Sequence, residues 1–202
     1  MRRYDCAFLG GLTVYVCIFI FTTLCLAAEF SADMDGNQIG RDMKGKVYIK
    51  GDRVRMEGMS PEGEVSVAIM DVEKGTMCTL IPKNKVYIEM SGLAVKSKMN
   101  QFASDKKMAE VSDKNYLGTE DINGYLCDKY EYIYHDKSQG TMTQWFSKKL
   151  NYPIKMISNS PYGETVIEYK NITEGGISDS LFEIPAGYQK MVIPGMGAED
   201  EY

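Results

Sequence analysis

From Gly45 to Gly58 the chain is apolar and polar by turns. Val47 and Ile49 lie on one side of an extended backbone, with Lys46, Tyr48 and Lys50 on the other. Gly51-Asp52 permits a reversal, after which Val54 and Met56 alternate with Arg53, Arg55 and Glu57. A period of two on both sides of a two-residue turn predicts an antiparallel hairpin with one apolar face. The rhythm recurs along the chain. A short strand is predicted over 30–34. Over 64–72, Val65, Val67 and Ile69 alternate with Ser66 and Ala68. Strands over 76–81 and 85–90 follow turns at Glu73-Lys74-Gly75 and Pro82-Lys83-Asn84, and Val86, Ile88 and Met90 share a face. Further strands are predicted over 116–119, 125–135, 141–147, 154–158 and 164–172.

At Ser91-Gly92 the rhythm changes. Over 93–110, Val95, Met99, Phe102 and Lys106 fall on helical spacing, which predicts one amphipathic helix. Near the end, Ser178-Asp179 can cap a single turn through Leu181-Phe182, and Pro185 stops it. The expected fold class is therefore mainly β. About ten antiparallel strands form a curved sheet, a half-barrel, with the amphipathic helix covering its concave face. A helix of about 16 residues, roughly 24 Å long, covers such a face thinly. The apolar faces expected to enclose the remaining space are those of Val47, Ile49, Val54, Met56, Val65, Val67, Ile69, Val86, Ile88 and Met90, with Val95, Met99 and Phe102 from the helix.

The chain's start changes the compartment. Arg2 and Arg3 precede an uncharged run from Cys6 to Ala28, and Leu26-Ala27-Ala28 stands before Glu29. This reads as a secretory signal over 1–28, cleaved after Ala28. An apolar run of about 20 residues also suits an uncleaved anchor, so both readings stay open. The expected organisation is a signal, a binding domain over 29–191, and an acidic disordered tail over 192–202 that carries Glu199-Asp200-Glu201. The expected location is the periplasm or another exported compartment. Without residues 1–28 the chain has 21 basic and 27 acidic side chains, a balance that excludes nucleic acid as a natural partner.

Chemistry-bearing residues are few. With the first 28 residues gone, Cys78 and Cys127 remain. In an oxidising compartment they are a disulfide candidate, and two separate thiols is the equal alternative. Two cysteines and the single His135 build no metal site, and no cofactor is expected. Ser, His and Asp show no nucleophile-elbow context, so the chain is read as no enzyme. The 14 methionines are more informative, because a flexible, polarizable side chain suits an irregular apolar pocket as well as an ordinary core. Tyr130, Tyr132 and Tyr134 share one strand face, as a sheet-stabilising ladder or the mouth of a pocket. Trp145 and Phe146 occupy opposite faces.

Four stretches carry a likeness to a known family. They are Gly45-Lys46-Val47-Tyr48-Ile49-Lys50 with the Arg-rich strand after it; Gly75-Thr76-Met77-Cys78-Thr79-Leu80 through Pro82 to Val86-Tyr87; Tyr116-Leu117-Gly118-Thr119 through Asn123-Gly124-Tyr125 to Lys129-Tyr130; and Asp179-Ser180-Leu181-Phe182-Glu183-Ile184-Pro185-Ala186-Gly187-Tyr188. In order and spacing they resemble the outer-membrane lipoprotein carrier (LolA-like) superfamily, in an exported-domain branch. The resemblance implies a half-barrel with a helical lid and an acyl-binding cavity between them. The partner it implies is a lipid or an acylated protein. The carrier's lid-latching arginine has no counterpart, because Gly51 occupies that position, and Cys78 stands where relatives carry tryptophan. A structural or sensory module that binds an envelope protein is the alternative function.

Overall fold

The computed structural model describes residues 28–59, 65–92 and 105–192. The first strands are β1 (Glu29–Gln38), β2 (Arg41–Lys50), β3 (Arg53–Met59), β4 (Val65–Asp71), β5 (Thr76–Ile81) and β6 (Val86–Ser91). A short helix, α1 (Asp105–Val111), leads directly into β7 (Ser112–Ile122). Then come β8 (Tyr125–Tyr134), β9 (Thr141–Ser147), β10 (Tyr152–Ser160), β11 (Gly163–Glu174) and the two-residue β12 (Gln189–Lys190). All twelve strands belong to one sheet, in the order β12-β6-β5-β4-β3-β2-β1-β11-β10-β9-β8-β7. Neighbours pair antiparallel except β12, which runs parallel to β6. The sheet is curved and open, ending at β12 and β7 rather than closing into a barrel.

The expected fold class is thus the observed one, and β12 is the strand that the alternation did not suggest. The opening hairpin turns at Gly51, which takes φ +60°, a conformation that glycine adopts without penalty. β1 runs four residues beyond its expected end. Asp33 and Asp35 are polar but pair with lysines of neighbouring strands; Lys170 Nζ lies 2.8 Å from Asp35. β7 runs well beyond 116–119 for another reason. As the sheet's edge strand it exposes most side chains, so its sequence shows no apolar alternation.

Of the expected helix, Val95, Met99 and Phe102 lie outside the described residues. The described part, α1, sends Met108 against Tyr132, Tyr134 and Met142. Ser112, buried where helix passes into strand, donates its hydroxyl to the Met108 carbonyl at 2.7 Å. The main core gathers Phe30, Val47, Ile49, Val54, Met70, Ile154, Met156, Ile167 and Tyr169. The capped turn near the C-terminus forms as expected, with the Ser178 hydroxyl accepting from the Ser180 amide.

Candidate functional site: an apolar row across the sheet

Direct register partners place Phe30 of β1 opposite Ile49 of β2, and Ile49 opposite Val54 of β3. Val54 faces Met70 of β4, Met70 faces Met77 of β5, and Met77 faces Met90 of β6. Six apolar side chains therefore stand in one row over six neighbouring strands. Five steps of about 4.8 Å make that row roughly 24 Å long. A parallel row runs Ala32, Val47, Met56, Ala68, Thr79 and Ile88. Phe30, Val47, Ile49 and Val54 are buried, whereas Met56, Met77, Ile88 and Met90 are half-buried. The first row changes from Ile49 and Val54 to methionine toward β6, whereas the second ends in Thr79 and Ile88.

The expected lining residues separate by register. Val47, Ile49, Val54, Met56, Val86, Ile88 and Met90 share the face of these rows. Val65, Val67 and Ile69 do not, because Met56 opposes Ala68 and Val54 opposes Met70. A correction follows for β4: Ala68 and Met70 are its contribution to this face. Both parities of Val-Ser-Val-Ala-Ile-Met are largely apolar, so alternation alone could not choose. The strand is covered on both sides.

Val67, Ile69 and Leu80 pack on the opposite face with Tyr87, Phe182 and Tyr188. The C-terminal segment is pinned there by the cations of the opening hairpin. Arg55 donates to the Leu181 carbonyl at 2.9 Å, Lys50 to the Ile177 carbonyl at 2.9 Å, and Arg53 to the Asp179 carboxylate. Arg53 and Arg55, polar in the alternation, are clamps for this strap.

Beside the Phe30 end of the row lie two more aromatic rings. The Tyr152 and Tyr169 ring centres are 5.5 and 6.2 Å from that of Phe30, and 6.4 Å from each other. Among the described residues, the hydroxyls of Tyr152 and Tyr169 are buried without a hydrogen-bond partner. Burial pushes both phenols well above their ordinary range, and at Tyr152 the Tyr169 hydroxyl and the Asp52 carboxylate add to it. Both therefore stay protonated, as hydrogen-bond donors. No sequence motif singles these tyrosines out; only their neighbours across the sheet do.

The remaining candidates resolve into structure. Tyr130, Tyr132 and Tyr134 do share a face and pack as the cluster around Met108. Trp145 is buried beneath the ammonium groups of Lys129 and Lys155, 4.7 and 5.3 Å from its ring, and donates to Glu120 at 2.7 Å. His135 lies at the surface, 3.4 Å from Asp113. Cys78 and Cys127 are both free thiols, which corrects the disulfide candidate. They sit in β5 and β8, eight steps apart in the sheet order, and in different apolar clusters.

Comparison with known structures places this fold. An uncharacterized conserved protein from Thermus thermophilus is similar over 82% of this chain and 91% of that chain, with 12% identity and a TM-score of 0.57. The MucA/MucB complex of Pseudomonas aeruginosa contains a chain similar over 82% of this one and 58% of its own length, with 12% identity and a TM-score of 0.51. A LolA superfamily protein from Nitrosomonas europaea, of the superfamily that the sequence resembles, matches over 78% of this chain and 90% of that chain, with 13% identity and a TM-score of 0.37. No curated protein matches the chain. Residues 32–151 match the family described as a domain of unknown function, DUF4412, and the chain belongs to that family.

Proposed function

We propose that this domain is an exported, non-catalytic binding protein that holds the acyl chain of a lipid or of an acylated protein against the methionine-rich rows, as a carrier or chaperone. The observation that carries the reading is the unbroken apolar row from Phe30 to Met90, fully buried at one end and methionine-lined and half-buried at the other. Such a surface binds by area, at about 25 cal/mol per Å² of apolar surface removed from water, with little discrimination between chains. The LolA-like sequence resemblance and the signal-like start of the chain support the same reading. The test is native mass spectrometry of protein purified from its exported compartment without detergent, with diphenylhexatriene binding to the delipidated protein. Co-purifying lipid and dye binding are expected. Protein that carries no lipid and binds no dye overturns the reading.

A second reading is a module that binds an envelope protein. It is favoured by likeness of fold to MucB, whose structure in complex with MucA is known, and by the edge strand β7. That strand and its neighbour expose Tyr116, Leu117 and Leu126. A partner retained after complete delipidation would favour this reading over the first.

A further inference from the structure

Met70, Met77 and Met90 are too far apart in sequence to form a metal-binding motif. The sheet brings them together. Met70 of β4 is the register partner of Met77 of β5, and Met77 is the partner of Met90 of β6. Directly opposed residues have Cα atoms about 4.5–5.5 Å apart and side chains on one face. Met56 of β3 stands diagonal to Met70, because its own partner is Ala68. Among the described residues of β4, β5 and β6, no carboxylate, imidazole or thiol shares this face. Cys78 and Glu89 are partners of each other, and alternation turns them to the other side.

We infer that Met70, Met77 and Met90 hold one monovalent copper ion, Cu(I), through their three thioether sulfurs. The donor set selects the ion. Thioethers are soft, and soft sulfur ligands favour Cu(I), whereas harder divalent cations want imidazole, carboxylate or water. Thioethers are also neutral and leave the ion's charge uncompensated, so an apolar site tolerates one charge far better than two. The register supplies the geometry. Met77 is central, its neighbours stand one strand, about 4.8 Å, to either side, and three rotatable bonds let each side chain lean toward a shared ion. A single ion needs no preformed cavity. Met77 and Met90 are half-buried and take it up from the surface, and buried Met70 closes the inner side. This goes beyond the acyl-binding reading and does not depend on it: a hydrocarbon tail reads the apolar area of these residues, and Cu(I) reads their sulfur.

The test uses protein purified from its exported compartment, with Cys78→Ala and Cys127→Ala because thiolates also bind Cu(I). Cu(I) is supplied without oxygen and competed with the chelator bathocuproine disulfonate. Met70→Leu, Met77→Leu and Met90→Leu each remove one sulfur and keep a large apolar side chain, the kind of exchange that cores tolerate best; melting temperatures establish that the variants fold. One Cu(I) per chain is expected, with sulfur neighbours only in its X-ray absorption spectrum, and no binding of Zn(II) at the same concentration. Each leucine variant is expected to bind at least about tenfold more weakly, the lower bound for losing even an outer-shell partner at a metal site. Met142→Leu, in the separate cluster around Met108, is expected to bind as the parent does. Where the cysteine-free protein does not fold, the unsubstituted chain with carbon-13-labelled methionine methyls is titrated with Cu(I) past saturation of its thiols. The Met70, Met77 and Met90 methyl resonances should then move together while that of Met142 stays. A foldable parent that binds no Cu(I), a triple leucine variant that binds it as the parent does, or unmoved Met70, Met77 and Met90 resonances overturn the inference. Diphenylhexatriene binding to the same proteins decides the acyl-binding reading separately, since leucine preserves the apolar surface.

Discussion

Arg53 holds its guanidinium over the ring of Phe182, 4.8 Å from the ring centre. This contact joins the opening hairpin to the C-terminal strap, which covers Val67, Ile69 and Leu80. Phe182→Ala removes both the cation–π contact and the ring's packing. The expected loss is roughly 2 kcal/mol, below a full core truncation because the ring is half-buried. Urea unfolding measures the loss. Hydrogen exchange should quicken at the Gln189 and Met191 amides, which donate to the carbonyls of Lys85 and Tyr87. Unchanged exchange there would show that the strap holds without Phe182.

The same strap should loosen in acid. Hydrogen bonds from Arg53 and Lys50, and the charge of Lys50, hold the Asp179 carboxyl below its ordinary value of 3.8. A depressed folded pKa contributes stability that is fully present above the unfolded value and is lost as pH falls through the folded one. The contribution is therefore complete at pH 6 and is lost progressively as pH falls below 3.8. Exchange at residues 178–191, corrected for intrinsic rates, should rise in the parent as pH falls below 3.8. In Asp179→Asn it should be faster already at pH 6, and that excess should shrink as pH falls below 3.8. Parallel profiles in the two proteins would remove Asp179 from the mechanism.

These clamps show what alternation conveys and what it omits. Val47, Ile49, Val54 and Met56 were legible because β2 and β3 join through a two-residue turn, which fixes their register within the sequence itself. β4 was not legible in the same way. Its register to β3 depends on residues outside the hairpin rule, and a strand apolar on both sides offers no face to choose. Arg53 and Arg55 read as solvent-facing, as their parity demands, but a segment more than 120 residues later folds over them. The pairing of β1 with β11 is equally remote in sequence, and it brings Tyr169 to Met34 and into the cluster with Phe30. Local pattern thus conveyed the strands and the hairpin face. The tyrosine pair and the strap are long-range consequences of sheet order.

The two thiols should behave differently. Burial, then the charges of Asp121 and Asp128, push the Cys127 thiol up to about 11, and its side chain is fully buried. Burial and the Glu89 charge raise the half-buried Cys78 as well. Because the thiolate is the reactive form, alkylation at pH 8 should be slow at both sites and slowest at Cys127. Peptide mapping after brief iodoacetamide treatment should find modified Cys78 and unmodified Cys127, with both modified in urea. A peptide linking Cys78 to Cys127 in unreduced protein would contradict the sheet order.

The two ends of the apolar row should separate stability from binding. Ile49 is fully buried between Phe30 and Val54, so Ile49→Ala should cost about 2–5 kcal/mol, the range for truncating a core aliphatic residue. Urea unfolding checks that loss. Met90 is half-buried at the β6 end, opposite Met77. Met77→Gln and Met90→Gln keep chain length while adding a polar amide that an acyl tail must desolvate. Each should cost less than about 1 kcal/mol in stability, as at other incompletely buried sites. Together they should weaken diphenylhexatriene binding about tenfold or more, measured by fluorescence titration at a temperature where both proteins are folded. If the glutamine variants instead unfold as readily as Ile49→Ala, the methionine end belongs to the core and offers no binding surface. If they fold normally and bind the dye as the parent does, the tail lies elsewhere on the sheet.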